Sequence, residues 1–326
     1  MGHGEARAFW VAAPGRGEIR REVLRPPADG EVLVRTLYSG VSRGTEALVF
    51  QGRVPPGEYE RMRAPFQSGD FPGPVKYGYV SVGRIEAGPE DVRHRNAFVL
   101  HPHQTQFVVP REAAYVLPSG VPPERAVLAA YLETAVNGLW DARLQVGDRV
   151  VIVGGGALGC LMAWVAGRIP GCRVTLVDIN PEREATARAL GVSFLGPDRV
   201  TGGADVVIHA SGSPAGLDLA LGVAGFEATV VEMSWYGDQA VALRLGEAFH
   251  AKRLRITSSQ VGHVAASQRS RWDRRRRMEL AIGMLTDPVL DVLIDGESDF
   301  DALPETMARL AAPGSALCHR VRYRSS

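Results

Sequence analysis

Cysteine is scarce in this chain of 326 residues. The three present, Cys160, Cys172 and Cys318, form no CxxC pair. That argues against a disulfide framework and against a cysteine-rich zinc lobe, and it makes a reducing cytoplasm the expected compartment. An excess of either charge is also missing: 37 Lys and Arg stand against 36 Asp and Glu, so bulk electrostatics select neither nucleic acid nor an anionic membrane. No apolar run is long enough to span a bilayer, and residues 1–12 lack the uninterrupted apolar core that a signal peptide needs. Internal repeats and low-complexity segments are absent. What remains is a chain that is 45% hydrophobic, with enough apolar residues for a sizeable core and enough length for two domains.

Its most informative stretch covers residues 149–178. Arg149-Val150-Val151-Ile152-Val153 is a β-branched run suited to a strand buried on both faces. Gly154-Gly155-Gly156-Ala157-Leu158-Gly159 follows and matches G-x-G-x-x-G. Gly154 permits a tight turn, Gly156 lets the backbone approach a pyrophosphate, and Gly159 lets the next helix lie close to the strand. That helix, over residues 157–168, aims its first N–H groups at the phosphates. Residues 174–177 form a second strand that Asp178 closes, about 20 residues after the glycines. A carboxylate there accepts hydrogen bonds from a ribose hydroxyl and repels a 2′-phosphate. Ile179-Asn180-Pro181 adds no basic cradle, although Arg183 stands nearby. NAD(H) is therefore the expected cofactor, ahead of NADP(H).

Before this stretch, short apolar runs alternate with Pro and Gly breaks over residues 7–12, 19–24 and 31–38, and strands resume over 75–87 and 97–110. Between them lie a polar turn at 39–46 and a long loop at 52–74 that carries Phe66 and Phe71, read as a lid over a substrate larger than ethanol. After Asp178, helices at 181–190 and 217–223 alternate with strands at 205–210, 228–233 and 254–258. This is the α/β pattern of a doubly wound parallel sheet. Ligands of such sheets sit beyond the carboxyl ends of the strands, so Ser211, Met233, Trp235 and Tyr236 are expected near the glycine turn. Arg269, Arg271 and Arg274 to Arg277 read as one solvated helix face.

A β-rich N-terminal part, a dinucleotide unit and a short α/β return come in the order of the medium-chain dehydrogenase/reductase family, the zinc-type alcohol dehydrogenase-like proteins. The chain resembles that family through Gly40-Val41-Ser42-Arg43-Gly44-Thr45-Glu46, residues 74–83, Gly147-Asp148-Arg149-Val150, the glycine turn and Val177-Asp178-Ile179-Asn180. The serine-arginine turn is most similar to the branch with the bacteriochlorophyllide dehydrogenases. The resemblance implies a GroES-like catalytic domain from residues 1–125 and 263–326, a Rossmann domain from 126–262, a substrate cleft between them, and a homodimer.

It also implies zinc positions that this chain does not keep. Zinc-dependent members use a cysteine after the first turn, a histidine in Gly-His-Glu, and a cysteine or acid on the helix before the fingerprint. These align with Ser42, with Lys76 and Tyr77, and with Thr134 beside Glu133. Serine, lysine and threonine are poor zinc ligands at neutral pH, so a zinc-independent member is expected. A site rebuilt from Glu133, His101 and His103 is the alternative.

Without a metal, a side chain must stabilise or protonate the carbonyl oxygen during hydride transfer. Lys76 and Tyr77 are the candidates, a phenol beside an ammonium being depressed toward useful acidity, with Ser42 and Glu133 as further polar groups. The bland alternative is a solvated lysine and a core tyrosine. His101 and His103 share a face if their run is a strand, whereas Pro102 equally suits a bend. Thr134 is either a contact near the nicotinamide or a helix N-cap. The expected function is an NAD(H)-dependent oxidoreductase that interconverts a secondary alcohol and a ketone without zinc. Reduction of quinones or activated alkenes, and a catalytically silent dinucleotide-binding sensor, are the alternatives.

Overall fold

The strand Glu31–Val41 buries Val32, Val34 and Thr36 at alternate positions, as its sequence pattern dictates. In the computed structural model, which describes residues 4–312 and 316–324, this strand is the spine of one of two units. That unit comprises Met1–Ala130, Ile282–Thr286 and Ile294–Ser326. The strand pairs antiparallel with Cys318–Arg322, Ser81–Ala87 and Gln106–Pro110 inside a seven-stranded sheet. A four-stranded sheet is built on the hairpin Gly4–Ala13 and Arg16–Leu24. Val32, Val34, Ile85, Val99, Phe107 and Val109 form one core. The expected turn at 39–46 is instead the end of the spine strand and the start of a helix, Arg43–Phe50, because Leu48, Val49 and Phe50 bury there.

His101 belongs to this packing. Its ring lies flat on Phe107, centroids 3.7 Å apart, and stacks on Phe66 at 5.6 Å. Its Nδ1–H donates to the Pro102 carbonyl at 2.9 Å. Burial pushes its pKa down to about 3, so the ring is neutral wherever the fold is intact near neutrality.

The second unit comprises Tyr131–Ala281 and Asp287–Leu293. Its six parallel strands run in the order Ser193–Leu195, Arg173–Val177, Arg149–Val153, Ala204–His209, Ala224–Glu232, Arg255–Ser258. This is the doubly wound sheet that the strand and helix alternation specifies. Val150 to Val153 are all buried, since helices cover both faces. Leu217, Ala220 and Leu221 of the helix Pro214–Val223 share a core with Val151, Val207 and Val230. Among the described residues no helix is long and apolar enough to cross a membrane.

This unit starts at Tyr131 rather than at the expected 126, and it runs past the expected end at 262. Residues 263–281 belong to it rather than to the β-rich unit, because they are tied to the helix Ala129–Ala142. Ala265 N–H donates to Asn137 Oδ1 at 3.0 Å, and the Trp272 ring meets Trp140 at 4.9 Å. That helix runs unbroken through Glu133 and Thr134, so Thr134 is interior and not an N-cap. Nor is the arginine run one wet face. Arg274, Arg275 and Arg276 are exposed, but Arg277 is 1% exposed and gives Glu133 Oε1 two N–H donors at 3.0 and 2.9 Å.

Removing one partner of a buried ion pair leaves the other charge stranded, at a cost of about 3–5 kcal/mol. Arg277→Ala is expected to lower the unfolding free energy by about that amount in a urea titration, and Arg277→Met with Glu133→Leu to recover most of it. A loss below about 1 kcal/mol for Arg277→Ala would place the pair among exposed ones. His101 sets a pH dependence of known sign. Its folded pKa of about 3 lies below the ordinary 6.5, so its contribution to stability is whole above pH 6.5 and drains away as pH falls toward 3. His101→Phe, which keeps the stack, is expected to reduce proton uptake on unfolding by about one between those limits. An unchanged slope of stability against pH counts against the assignment.

Candidate functional site

The glycine turn begins where three strand ends are laced together. Gly154 N–H donates to the Val177 carbonyl and Ala210 N–H to the Val153 carbonyl, both at 2.8 Å. Gly154 has φ +114°, and a Cβ there would lie 2.6 Å from Ser211 N. A Cβ on Gly159 would lie 1.9 Å from the Gly154 carbonyl oxygen. The chain's own packing therefore demands both glycines. It does not demand Gly156, whose φ of −71° is ordinary and around whose would-be Cβ no atom lies within 4 Å. Gly156 is the N-cap of the helix Ala157–Ala166, which Ala157, Leu158 and Gly159 open. Open space thus faces the unpaired N–H groups of a helix start, the arrangement a diphosphate needs to approach backbone.

Asp178 stands at the tip of the neighbouring strand. One carboxylate oxygen accepts Gly155 N–H at 2.6 Å and the other accepts Asn180 N–H at 2.8 Å. The group is held rigidly, with lone pairs left over for ribose hydroxyls. Beside it Ile179 is 87% exposed, an apolar surface next to a polar anchor. Arg183 is buried, with Cγ 3.3 Å from where a Gly155 Cβ would be.

On the other side of the turn, His209 and Glu232 are register partners at the ends of adjacent parallel strands. His209 Nδ1 lies 2.8 and 2.9 Å from the two Glu232 oxygens, and its Nε2 lies 2.6 Å from Ser211 Oγ. Glu232 also accepts Ser234 N–H at 2.7 Å and the Tyr236 hydroxyl at 3.1 Å. Burial works against its charge, but His209 first and then Ser234 outweigh it and hold its pKa below the usual range. Tyr236 and Trp235 are half-buried; the Tyr236 hydroxyl is committed to Glu232. Met233 turns its thioether against Gly138 of the helix Ala129–Ala142 rather than over the turn.

The β-rich unit holds a second polar cluster, and it is not the one the sequence singles out. Ser42 N–H donates to Glu46 Oε1 at 2.7 Å, Glu46 Oε2 meets His103 Nε2 at 2.8 Å, and His103 Nδ1 meets Ser39 Oγ at 2.7 Å. Ser39 Oγ also lies 3.0 Å from the Tyr323 hydroxyl. With Nε2–H donating to Glu46, Nδ1 accepts the Ser39 hydroxyl, so both ring nitrogens are engaged. The phenol oxygen of the half-buried Tyr79 accepts hydrogen bonds from the Ser42 and Thr45 side chains, which favour its ionised form, but burial and then the Glu46 charge outweigh them and push its pKa up to about 12.

Four expectations are corrected here. Lys76 is neither solvated nor beside a useful phenol: its Nζ binds Glu22 at 2.7 Å and Gln104 at 2.9 Å. Tyr77 is core, packed against Phe71 and Tyr79, and burial raises its pKa where a neighbouring ammonium was expected to lower it. His101 and His103 do not act as a pair, since one is stacked between aromatics and the other bridges Ser39 and Glu46. Glu133 is held by Arg277 in the second unit. Among the described residues no group of three or more His, Cys, Asp or Glu side chains could hold a metal ion. The hydroxyls of Ser42, Thr45 and Tyr79, with one carboxylate already on His103, do not fit zinc's preference for thiolate, imidazole and carboxylate. Tyr79 and Glu46 are the residues the sequence reading passed over. Tyr79 lies two positions after Tyr77, and Glu46 four after Ser42 on the following helix.

No protein-family model matches the chain. It is 27% identical over 308 residues to D-guloside 3-dehydrogenase of Escherichia coli K12, a match covering 85% of this chain and 87% of that protein. Among solved structures it is similar to a Sinorhizobium meliloti 1021 protein with NADP bound (TM-score 0.77, 18% identity, 98% of this chain and 99% of the other). It is equally similar to an E. coli CFT073 alcohol dehydrogenase complexed with NADH (TM-score 0.77, 16% identity, 98% and 100%). The fold, a parallel-sheet Rossmann unit with a separate β-rich unit, is that of the zinc-type alcohol dehydrogenase-like structures. The named relatives are sugar and alcohol dehydrogenases, and an oxidoreductase is the enzyme class consistent with them.

Proposed function

We propose that the chain is an NAD(H)-dependent dehydrogenase that interconverts a secondary alcohol, of the polyhydroxylated kind its relatives are named for, and the corresponding ketone, without catalytic zinc. The observation that carries the reading is the unfilled space at Gly156, beside a helix start and a carboxylate fixed by two backbone N–H groups. Asp178 favours NAD(H), because its charge opposes a 2′-phosphate. When bound, the cofactor supplies or accepts the hydride. The chain's own part is to manage the proton on the substrate oxygen. Tyr79 keeps its proton at neutral pH, and its hydroxyl is oriented by Ser42 and Thr45, so it donates to that oxygen as the ketone is reduced and takes the proton back in oxidation. Ser42 and Thr45 hold the phenol, while Glu46 and His103 brace the helix start that carries them.

Calorimetric titration tests the cofactor half. Gly156→Ala is expected to leave the melting temperature unchanged and to weaken NADH binding at least about tenfold, whereas Gly159→Ala is expected to lose the fold. Wild type is expected to bind NADH more tightly than NADPH, and the reverse preference would sink the role given to Asp178. For the chemistry, Tyr79→Phe is expected to cut kcat by about 10²–10⁴ with NADH affinity intact, and prolonged chelation to leave the wild-type rate untouched. Full activity in Tyr79→Phe, or loss of activity on chelation that zinc restores, refutes the metal-free mechanism. Hydride transfer to quinones alone would shift the substrate class instead.

A further inference from the structure

Sheet order fixes the direction in which a dinucleotide must lie. Asp178 follows the strand Arg173–Val177 on one side of Arg149–Val153, and Ser211 follows Ala204–His209 on the other. With the diphosphate at residues 154–159 and the adenosine sugar at Asp178, the remaining half of the ligand leaves toward Ser211. The chain has gone to some length to fix the hydroxyl there. Ser211 is exposed, yet its Oγ is held by a histidine that is itself fully buried. Gly216 makes room for the contact: a Cβ at that position would lie 2.2 Å from Ser211 Oγ and 2.9 Å from His209 Nε2. The loop is pinned from the next strand too, since Gly212 N–H donates to Ser234 Oγ at 3.0 Å.

The proton arrangement follows from the partners. Glu232 receives N–H and O–H donors from Ser234 and Tyr236 and accepts His209 Nδ1–H. In the neutral ring His209 Nε2 is then an acceptor, and the hydrogen it takes is that of the Ser211 hydroxyl, 2.6 Å away. Ser211 Oγ receives Ser213 N–H at 3.2 Å. With its hydrogen turned inward and one lone pair used, Oγ offers a single acceptor site outward, from an atom whose direction cannot change without breaking a 2.6 Å bond. Such an atom recognises a hydroxyl or amide donor and rejects an anion.

We propose that Ser211, held by His209 and Glu232, accepts a hydrogen bond from a hydroxyl of the ribose on the nicotinamide side of the dinucleotide, and so is a positioning residue for the half of the cofactor that carries the hydride. The proposal rests on the dinucleotide reading above. ADP, ADP-ribose and NADH separate the two in calorimetry, because ADP lacks the second ribose and ADP-ribose lacks only the nicotinamide. Ser211→Ala is expected to leave ADP binding and the melting temperature unchanged and to weaken ADP-ribose and NADH alike, about three- to tenfold. Nitrogen-15 NMR of the His209 ring is expected to show a protonated Nδ1 and an unprotonated Nε2, with the Nε2 resonance moving in Ser211→Ala. Three results overturn the proposal: equal ADP-ribose affinity in wild type and variant, an equal loss for ADP, which marks Ser211 as merely structural, or a loss confined to NADH, which moves the contact to the carboxamide. Failure of all three ligands to bind wild type would instead remove the dinucleotide reading, and this inference with it.

Discussion

A single close passage sets the geometry of the second unit. Gly159 lies so near the carbonyl of Gly154 that no side chain fits between them, and this contact brings the start of the helix Ala157–Ala166 directly over the end of the central strand. Everything near the turn follows from it. The helix start meets open space at Gly156, Asp178 reaches Gly155, and Ser211 backs onto Gly154. A residue larger than glycine at 159 would move the helix off the strand and scatter those groups by distances comparable to a hydrogen bond. Two of the three fingerprint glycines are therefore packing residues, and only the middle one keeps space for something other than the chain itself.

The β-rich unit is governed by a different constraint, the cost of leaving buried polar groups without partners. Ser39, Ser42, Glu46, His103 and Tyr323 come from three distant parts of the chain, and each supplies what its neighbour lacks. A thiolate and an imidazole on a metal would satisfy one another through the ion. Hydroxyls cannot, so they must be closed into a hydrogen-bonded chain. That chain ends at Tyr79, half-buried and protonated.

How much of this the sequence discloses depends on how far apart the cooperating residues lie. The glycine turn, the strands flanking it and Asp178 are read in one pass, since all fall within 30 consecutive positions and each has a local reason. The parallel, doubly wound character of the second sheet follows from alternation of strands and helices. Arg277 is hidden among exposed arginines because only tertiary packing against Glu133 distinguishes it. Tyr79 is missed because two tyrosines lie two positions apart on one short stretch, and nothing local says that one meets Phe71 while the other meets Ser42 and Thr45. The boundary at 263 fails for the same reason: Asn137 and Trp140 draw residues 265–272 to their helix, a preference with no sequence signature.

The same three residue types recur in both units, and their surroundings decide what they do. Ser39, His103 and Glu46 form a serine–histidine–glutamate series, as do Ser211, His209 and Glu232. In each the carboxylate selects the histidine tautomer and the histidine orients the hydroxyl. In the first series the serine is fully buried and its oxygen meets Tyr323, so the ordering is absorbed within the protein. In the second the serine is exposed at the carboxyl end of a parallel strand, where the ordering points outward. A hydroxyl whose orientation has been fixed by a fully buried histidine and a half-buried carboxylate costs desolvation that folding alone does not require at an exposed position. An interaction with something outside the chain would make that cost intelligible, and it is why the proposed contact to the dinucleotide is placed on the outward series rather than on the more deeply buried one.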